Sequence, residues 1–356
     1  MTITIDHARL DKIVEAGSLY CHTPAESASS YVQYIDWLQT APMLGYGSKV
    51  IDSHITPMRP GEVTYLVARP GNGKTSMLVF QARRAALEIV KSEKQKQCVI
   101  YVTWEEPVES IEMSIQSGRD YTAEQVAWGT VDVELVRRKA MERPQLPLII
   151  LGKSLVRDKG KRKHPMTIEK VRDTILAIYY EFQLEPVLIC GDYLQKIPVA
   201  RGRDRVSEVT EATYALSELA TDVNAPLLIG AQATRDVDEQ GLPIPTLAGA
   251  QWSSTIEQEA FRQMGLLRPI TVIGRNGKGM ETIEINNREY QVDKNLLIVR
   301  LLKQRKYFPP VSTYAVHFKP DVFEMYDMDT VTGQPINTNG TKVKEGEVLK
   351  AWELTN

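Results

Sequence analysis

An α/β fold with a mainly parallel central sheet, covered by helices on both faces, is what this chain of 356 residues predicts, and three observations predict it. Apolar runs recur along the sequence as continuous blocks rather than alternating patterns, as in strands buried on both faces. Stretches of helical periodicity separate them, which is the order that parallel pairing requires. The first run ends in a glycine-rich turn that opens a helix, an arrangement that aims backbone N–H groups and the positive helix end at a phosphate.

Taken in order, residues 1–26 are mixed and weakly patterned and end in Thr23-Pro24. From 26 to 39, Ala28, Tyr31, Ile35 and Leu38 recur at helical spacing, and Ala41-Pro42 with Gly45 and Gly47 stop the helix. This helix reads equally as one packed on its own domain and as one docked on a neighbouring subunit. Pro60-Gly61-Glu62 then turns the chain into the apolar run 63–67. Ala68 and the turn Arg69, Pro70, Gly71, Asn72, Gly73, Lys74, Thr75 and Ser76 follow. The spacing is that of a P-loop with alanine at its first glycine position: Gly73 allows close backbone approach, Lys74 reaches β- and γ-phosphates, and the Thr75 hydroxyl suits Mg²⁺. ATP and Mg²⁺ are therefore the expected cofactors.

Further strands are predicted at 98–103, 146–151, 187–191, 227–231 and 296–302, with helices around 76–93, 107–117, 132–142, 167–184 and 206–223. Ligands of such sheets lie beyond the carboxyl ends of the strands. Asp192 ends the run 187–191, where an acid can help hold Mg²⁺ beside Thr75. Trp104-Glu105-Glu106-Pro107 follows the run 98–103, and either glutamate can orient water toward a γ-phosphate; Glu106 reads also as a first-turn helix acid. Gln232 ends the run 227–231 and can sense a γ-phosphate by hydrogen bonding. Lys303-Gln304-Arg305 ends the run 296–302 with two cations beyond it, and an arginine of this kind can be supplied to another subunit's site.

Composition narrows the class. With 43% hydrophobic and 25% charged residues the chain reads as a soluble globular protein, and its net charge of −2 excludes a surface coated for nucleic acid while leaving room for a local basic channel. No apolar run reaches the ~18 residues of a membrane span, so a cytoplasmic location without membrane contact is expected. Cys21, Cys98 and Cys190 lack metal or redox spacing and read as buried thiols.

The ordered motifs support a resemblance. From about residue 44 to 328 the sequence resembles the motor domain of the DnaB-type replicative DNA helicases, a RecA-fold family that works as rings of six. The matches are Ala68-Arg69-Pro70 with Gly73-Lys74-Thr75, Glu105 with Pro107, Asp192-Tyr193-Leu194-Gln195, Gln232 with Arg235, Ile256-Glu257-Gln258-Glu259-Ala260, and Lys303-Gln304-Arg305. The resemblance implies a RecA-like P-loop NTPase with Lys74 and Thr75 at the phosphates, Glu105 as the glutamate that activates water, Asp192 at Mg²⁺, Gln232 as phosphate sensor, and Lys303 and Arg305 reaching a neighbour's ATP. It implies single-stranded DNA and further copies of the chain as partners, with a loader or another replication protein beside them.

For DNA contact the expectations are the loop arginines Arg201, Arg203 and Arg205, and the segment Gln251, Trp252, Ser253 and Ser254. That segment departs from the family's Arg-Glu-Ser-Gly-Ser type; its hydroxyls can hold phosphate, and Trp252 reads equally as a stacking platform and as a buried or interface indole. The basic run 157–164 reads as a solvated loop. Fewer than ~60 residues precede the motor, too few for the helical domain through which the family recruits primase; a phage or mobile-element helicase is the expectation. The division expected is 1–43 linker segment, 44–328 motor and 329–356 extension. The tail is polar from about Asp327 and reads as a hairpin, a partner-binding peptide or loose chain. A second reading of the same fold is an ATP-switched assembly or recruitment factor that unwinds nothing.

Overall fold

The computed structural model describes residues 23–40, 43–94, 96–160, 165–199, 204–234, 244–247, 254–273, 279–305, 312–328 and 335–336. The chain divides into two compact units, Met1–Pro42 and Met43–Asn356. The first contributes one described helix, α1 (Pro24–Thr40). Thr23 N–H donates to Glu26 Oε2 at 2.7 Å and Glu26 N–H to Thr23 Oγ1 at 3.2 Å. This reciprocal cap, with Pro24 at the first helical position where no N–H is missed, starts the helix. Thr23-Pro24 therefore opens α1 rather than closing the segment before it.

The second unit holds, in order, α2 (Lys49–Asp52), β1 (Val63–Ala68), α3 (Lys74–Lys91), β2 (Gln97–Thr103), α4 (Val108–Gln116), α5 (Ala123–Ala127), α6 (Val133–Glu142), β3 (Leu148–Leu151), α7 (Ile168–Phe182) and β4 (Glu185–Asp192). It continues with α8 (Arg205–Asp222), β5 (Leu227–Gln232), α9 (Ser254–Glu259), β6 (Arg262–Leu267), β7 (Thr282–Ile285), β8 (Arg288–Gln291), β9 (Leu296–Gln304), β10 (Thr313–Lys319), β11 (Glu324–Met328) and β12 (Pro335–Ile336). Among the described residues the strands form a ten-stranded sheet, ordered β12, β11, β10, β9, β6, β1, β5, β4, β2, β3, and a separate hairpin of β7 with β8. The six strands from β6 to β3 are parallel. β9 turns antiparallel against β6, and β10 to β12 continue in that fashion.

The unbroken apolar strands follow from burial on both sides. Leu66, Tyr101, Leu188 and Leu228 face α3, where Leu78, Ala82 and Ala85 meet them. Their sequence neighbours Tyr65, Ile100, Ile189 and Leu227 face the opposite way, against Val171 and Ile175 of α7 and Val209 and Leu216 of α8. Both helix layers are required, because a strand apolar on both faces exposes half its surface if either layer is missing.

Two parts depart from the sequence reading. β6 is fully buried yet begins with Arg262 and Gln263, so its polar residues hide it from an apolar-run search. Arg262 is tolerated there because Glu62 Oε2 lies 2.6 Å from one guanidinium nitrogen and Thr56 Oγ1 3.0 Å from another. Asp327, about where the sequence turns polar, is itself a buried residue of β11, which ends at Met328. Its carboxylate accepts the Ser48 hydroxyl and, at 2.8 Å, the Lys49 N–H. No helix of the described residues is long and apolar enough to cross a membrane.

Candidate active site

At the carboxyl edge of the parallel strands, β1 breaks into the turn 69–73 and α3 begins at Lys74. Gly71 and Gly73 sit at φ +77° and +82°, a left-handed conformation that side chains resist, so the tight turn depends on glycine. Asn72 is buried, and its side chain points inward: Oδ1 accepts the Arg268 N–H at 2.8 Å and the Thr271 hydroxyl at 3.1 Å. Asn72 thus fixes the turn to the end of β6 through its side chain and leaves only its backbone for a ligand.

Thr75 and Asp192, 117 residues apart, meet where α3 starts and β4 ends: the Thr75 hydroxyl donates to Asp192 Oδ2 at 2.6 Å. Asp192 Oδ1 is buried and accepts no hydrogen bond among the described residues. A hydroxyl beside a carboxylate with one unsatisfied buried oxygen suits Mg²⁺, which keeps waters and takes substrate phosphates as its other ligands. Burial raises the Asp192 pKa, with Lys74 and the Thr75 hydroxyl opposing it; burial lowers the Lys74 pKa, with Asp192 and Glu105 opposing that. The attraction between the two groups opposes both shifts.

Lys74 Nζ lies 3.7 Å from the centroid of the Tyr193 ring. Its stem runs across Gly230 of β5, where a Cβ would come within 2.9 Å of Lys74 Cδ, so the glycine is the corridor for the lysine. Burial and the nearby Glu105 carboxylate raise the Tyr193 phenol.

The two candidate glutamates separate clearly. Glu106 accepts the Ser110 hydroxyl in the first turn of α4, and its N–H donates to Thr103 Oγ1 at 3.1 Å. Glu105 is exposed and has Lys196 Nζ 3.8 Å from Oε1. Glu106 is therefore tied into the helix start, while Glu105 bears on Lys74 and on the Tyr193 phenol. Gln232 is positioned through its backbone: its N–H donates to Gln195 Oε1 at 3.0 Å. Gln195, Lys196, Tyr193 and Gly230 are site residues that the sequence reading gave no role, and the signal for the first three was their place directly behind Asp192.

Lys303 and Arg305 do not join this group. Because β9 runs antiparallel to β6, its end lies beside Arg262 and Phe261, at the amino edge of the parallel strands. That edge is one β1 length away, roughly 20 Å at about 3.3 Å per residue. There Lys303 Nζ donates to the carbonyls of Glu257 and, at 3.0 Å, Gln258; Arg305 Nη2 donates to those of Gln258 and Glu259 at 2.9 and 3.0 Å. These are the last carbonyls of α9, an electrostatically favourable place for cations.

Of the expected DNA contacts, Arg201, Arg203, Gln251, Trp252 and Ser253 lie outside the described residues, as does Arg235. Arg205 is engaged with the Gln195 carbonyl and with Glu208 at 2.6 Å. Ser254 is the exposed first residue of α9.

Over residues 44–325 the sequence matches the family described as DnaB-like helicase C terminal domain. It is 24% identical over 290 residues to the replicative DNA helicase DnaB of Mycoplasma pneumoniae, covering 80% of this chain and 56% of that protein. To a probable plasmid replicative DNA helicase of Chlamydia psittaci it is 25% identical over 236 residues, covering 64% and 46%. The chain spans about half the length of these curated relatives. Its fold is similar to that of a DnaB-like replicative helicase solved in a study of its interactions with primase (TM-score 0.65, 16% identity, 91% of this chain and 72% of that one). It is equally similar to a second solved structure, described as an ATPase domain (TM-score 0.64, 16% identity, 85% and 98%).

Proposed function

The chain belongs to the DnaB-like helicase C terminal domain family, and from that membership we propose that it is an ATP-driven DNA helicase motor that works as a ring, with six copies as the family pattern, on single-stranded DNA. The observation that carries the ATPase reading is the Thr75–Asp192 contact beneath the P-loop, with Lys74 and Glu105 beside it. Backbone N–H groups of 69–75 and the Lys74 ammonium bind the phosphates of ATP. Thr75 and Asp192 would hold Mg²⁺, which would supply charge neutralisation to the phosphates. The Glu105 carboxylate orients a water and takes its proton as the water oxygen bonds to γ-phosphorus and the bond to the ADP oxygen breaks, giving ADP and phosphate. Gln232, held through Gln195, senses the γ-phosphate.

Arg305 and Lys303 serve a neighbouring copy's ATP, leaving the carbonyls of α9 when subunits assemble. Their place at the edge opposite their own P-loop supports this reading: within one chain they cannot reach the phosphates. Residues 44–328 form the motor, 1–43 a linker segment and 329–356 an extension. DNA contacts come from Arg201, Arg203 and the segment 251–254. The assembly-factor reading shares the ATP site, and the replicative helicases among the relatives weigh against it.

The test is ATP turnover measured across protein concentrations, with and without single-stranded DNA, beside unwinding of a forked duplex. Turnover that rises steeply with concentration, responds to DNA, collapses in Arg305→Ala and accompanies unwinding is expected. A DNA-indifferent ATPase without unwinding would leave the assembly factor as the surviving reading.

A further inference from the structure

Two opposite charges stand near each other at the strand ends and do not pair. The Lys74 ammonium and the Asp192 carboxylate act on each other electrostatically. Asp192 Oδ2 accepts the Thr75 hydroxyl at 2.6 Å and the Tyr101 hydroxyl at 3.4 Å, while the buried Oδ1 accepts nothing among the described residues. Opposite charges attract strongly where water is excluded, so the open oxygen is the obvious place for the lysine to fall. Among the described residues, however, Lys74 forms no ion pair with Asp192 or with any other carboxylate.

Two contacts define where the lysine rests instead. Its stem lies against Gly230 of β5, where a Cβ would come within 2.9 Å of Cδ and 3.0 Å of Cγ. Its ammonium sits over the Tyr193 ring, 3.7 Å from the centroid. Tyr193 is 8% exposed and follows Asp192 directly, so the ring is fixed beside the carboxylate with which it competes for the cation. A ring face attracts a cation through its quadrupole and leaves the N–H donors of the ammonium unspent. An ion pair with Oδ1 would spend a donor and fill the oxygen that suits Mg²⁺.

We propose that Tyr193 is a positioning residue: its ring holds the Lys74 ammonium off Asp192, keeping the lysine for nucleotide phosphate and the carboxylate for the metal. The inference rests on the reading of the turn 69–75 with Asp192 as an ATP and Mg²⁺ site. The hold has a suitable strength. A cation over a ring is bound less tightly than one in a buried ion pair, so an incoming triphosphate takes the lysine from Tyr193 more readily than it would from Asp192.

Binding of a fluorescent, non-hydrolysable ATP analogue to the full chain with Mg²⁺ present, followed by anisotropy so that turnover plays no part, tests this. Tyr193→Leu is expected to weaken binding about 10-fold, and Tyr193→Phe, which keeps the ring, to stay within about 2-fold of the parent. A phenylalanine with a fluorinated ring at 193 keeps the shape and weakens the negative face; it should bind the analogue less tightly than Tyr193→Phe. In a Lys74→Met background, Tyr193→Leu should change affinity less than about 2-fold, because no ammonium is left to hold. A crystal structure of nucleotide-free Tyr193→Leu should show Lys74 Nζ within about 4 Å of an Asp192 oxygen.

Unchanged or tighter binding by Tyr193→Leu, equal losses in Tyr193→Phe and Tyr193→Leu, a fluorinated ring that binds as Tyr193→Phe does, or losses that add fully in the double variant overturn the proposal. So does a Tyr193→Leu structure in which Lys74 stays clear of Asp192. A parent that binds no analogue, or a Lys74→Met variant that binds as the parent does, sinks the ATP-site reading itself, whereas a parent that binds beside an indistinguishable Tyr193→Leu sinks only this inference.

Discussion

The two edges of the parallel sheet differ in what they leave unfinished. At the carboxyl edge, Lys74, Thr75, Asp192 and Glu105 converge around a carboxylate oxygen that lacks a partner among the described residues. At the amino edge the charged groups Arg262, Lys303 and Arg305 have partners: Arg262 is buried against Glu62, and Lys303 and Arg305 rest on the carbonyls of α9. An unsatisfied buried oxygen is costly without a ligand, and the Asp192 one lies beside the Thr75 hydroxyl at the start of α3. At the second edge Lys303 and Arg305 are already held by helix carbonyls, and the proposal that they serve another copy requires that copy to offer them more.

The sharpest way to break this comparison is Arg305→Ala. If the amino edge serves a neighbour, the variant loses about 10³ to 10⁵-fold in turnover while still binding ATP. Mixing it with Lys74→Ala then recovers part of the activity, because some interfaces pair an intact P-loop with an intact arginine. Recovery that fails at every mixing ratio in stable rings would mean the two edges do not collaborate.

Within the carboxyl edge, Glu105→Gln is expected to cost about 10² to 10⁴-fold in turnover, measured as phosphate release at saturating ATP. Glu106→Gln should stay within a few-fold of the parent, since its carboxylate serves Ser110 and the start of α4. Equal losses in both would erase the distinction drawn between them.

Arg262→Ala probes the amino edge by stability. Removing one partner of this buried pair strands Glu62 and should cost about 3–5 kcal/mol in denaturant unfolding. A change below about 1 kcal/mol would show that the far edge tolerates loss of its anchor.

The smallest effect is expected between the edges, in the core. Burial pushes the Cys98 thiol up to about 11 and Cys190 higher still. Both should therefore stay unmodified by a thiol reagent at pH 8 in the native protein and react on unfolding, read by mass spectrometry. Rapid native labelling of either would mean that the strands β2 and β4 open far more readily than their packing implies.

Much of the carboxyl edge is legible in the sequence, because each of its parts is local. A strand that ends in glycines, lysine and threonine, or in an acid, carries its own position: the run stops where the sheet stops, and parallel strands all stop on the same side. The choice between Glu105 and Glu106 is not legible, since adjacent side chains diverge according to which one the following helix captures. The inward turn of Asn72 depends on Arg268 and Thr271, nearly two hundred residues away, and no local pattern announces that. The tail reads as polar from Asp327 because an acid there looks solvated, and only Ser48 and Lys49 across the fold make it a buried strand residue.

By itself, then, the sequence determined the layered α/β class, the phosphate-binding turn and the residues that gather at the strand ends, since burial on both faces writes continuous apolar runs and the turn needs glycine whatever surrounds it. The tertiary structure alone decided the direction of β9. An apolar run is equally apolar read either way, so only its pairing with β6 could send Lys303 and Arg305 to the far edge. That single reversal of a strand keeps Lys303 and Arg305 a strand's length from the P-loop of their own chain.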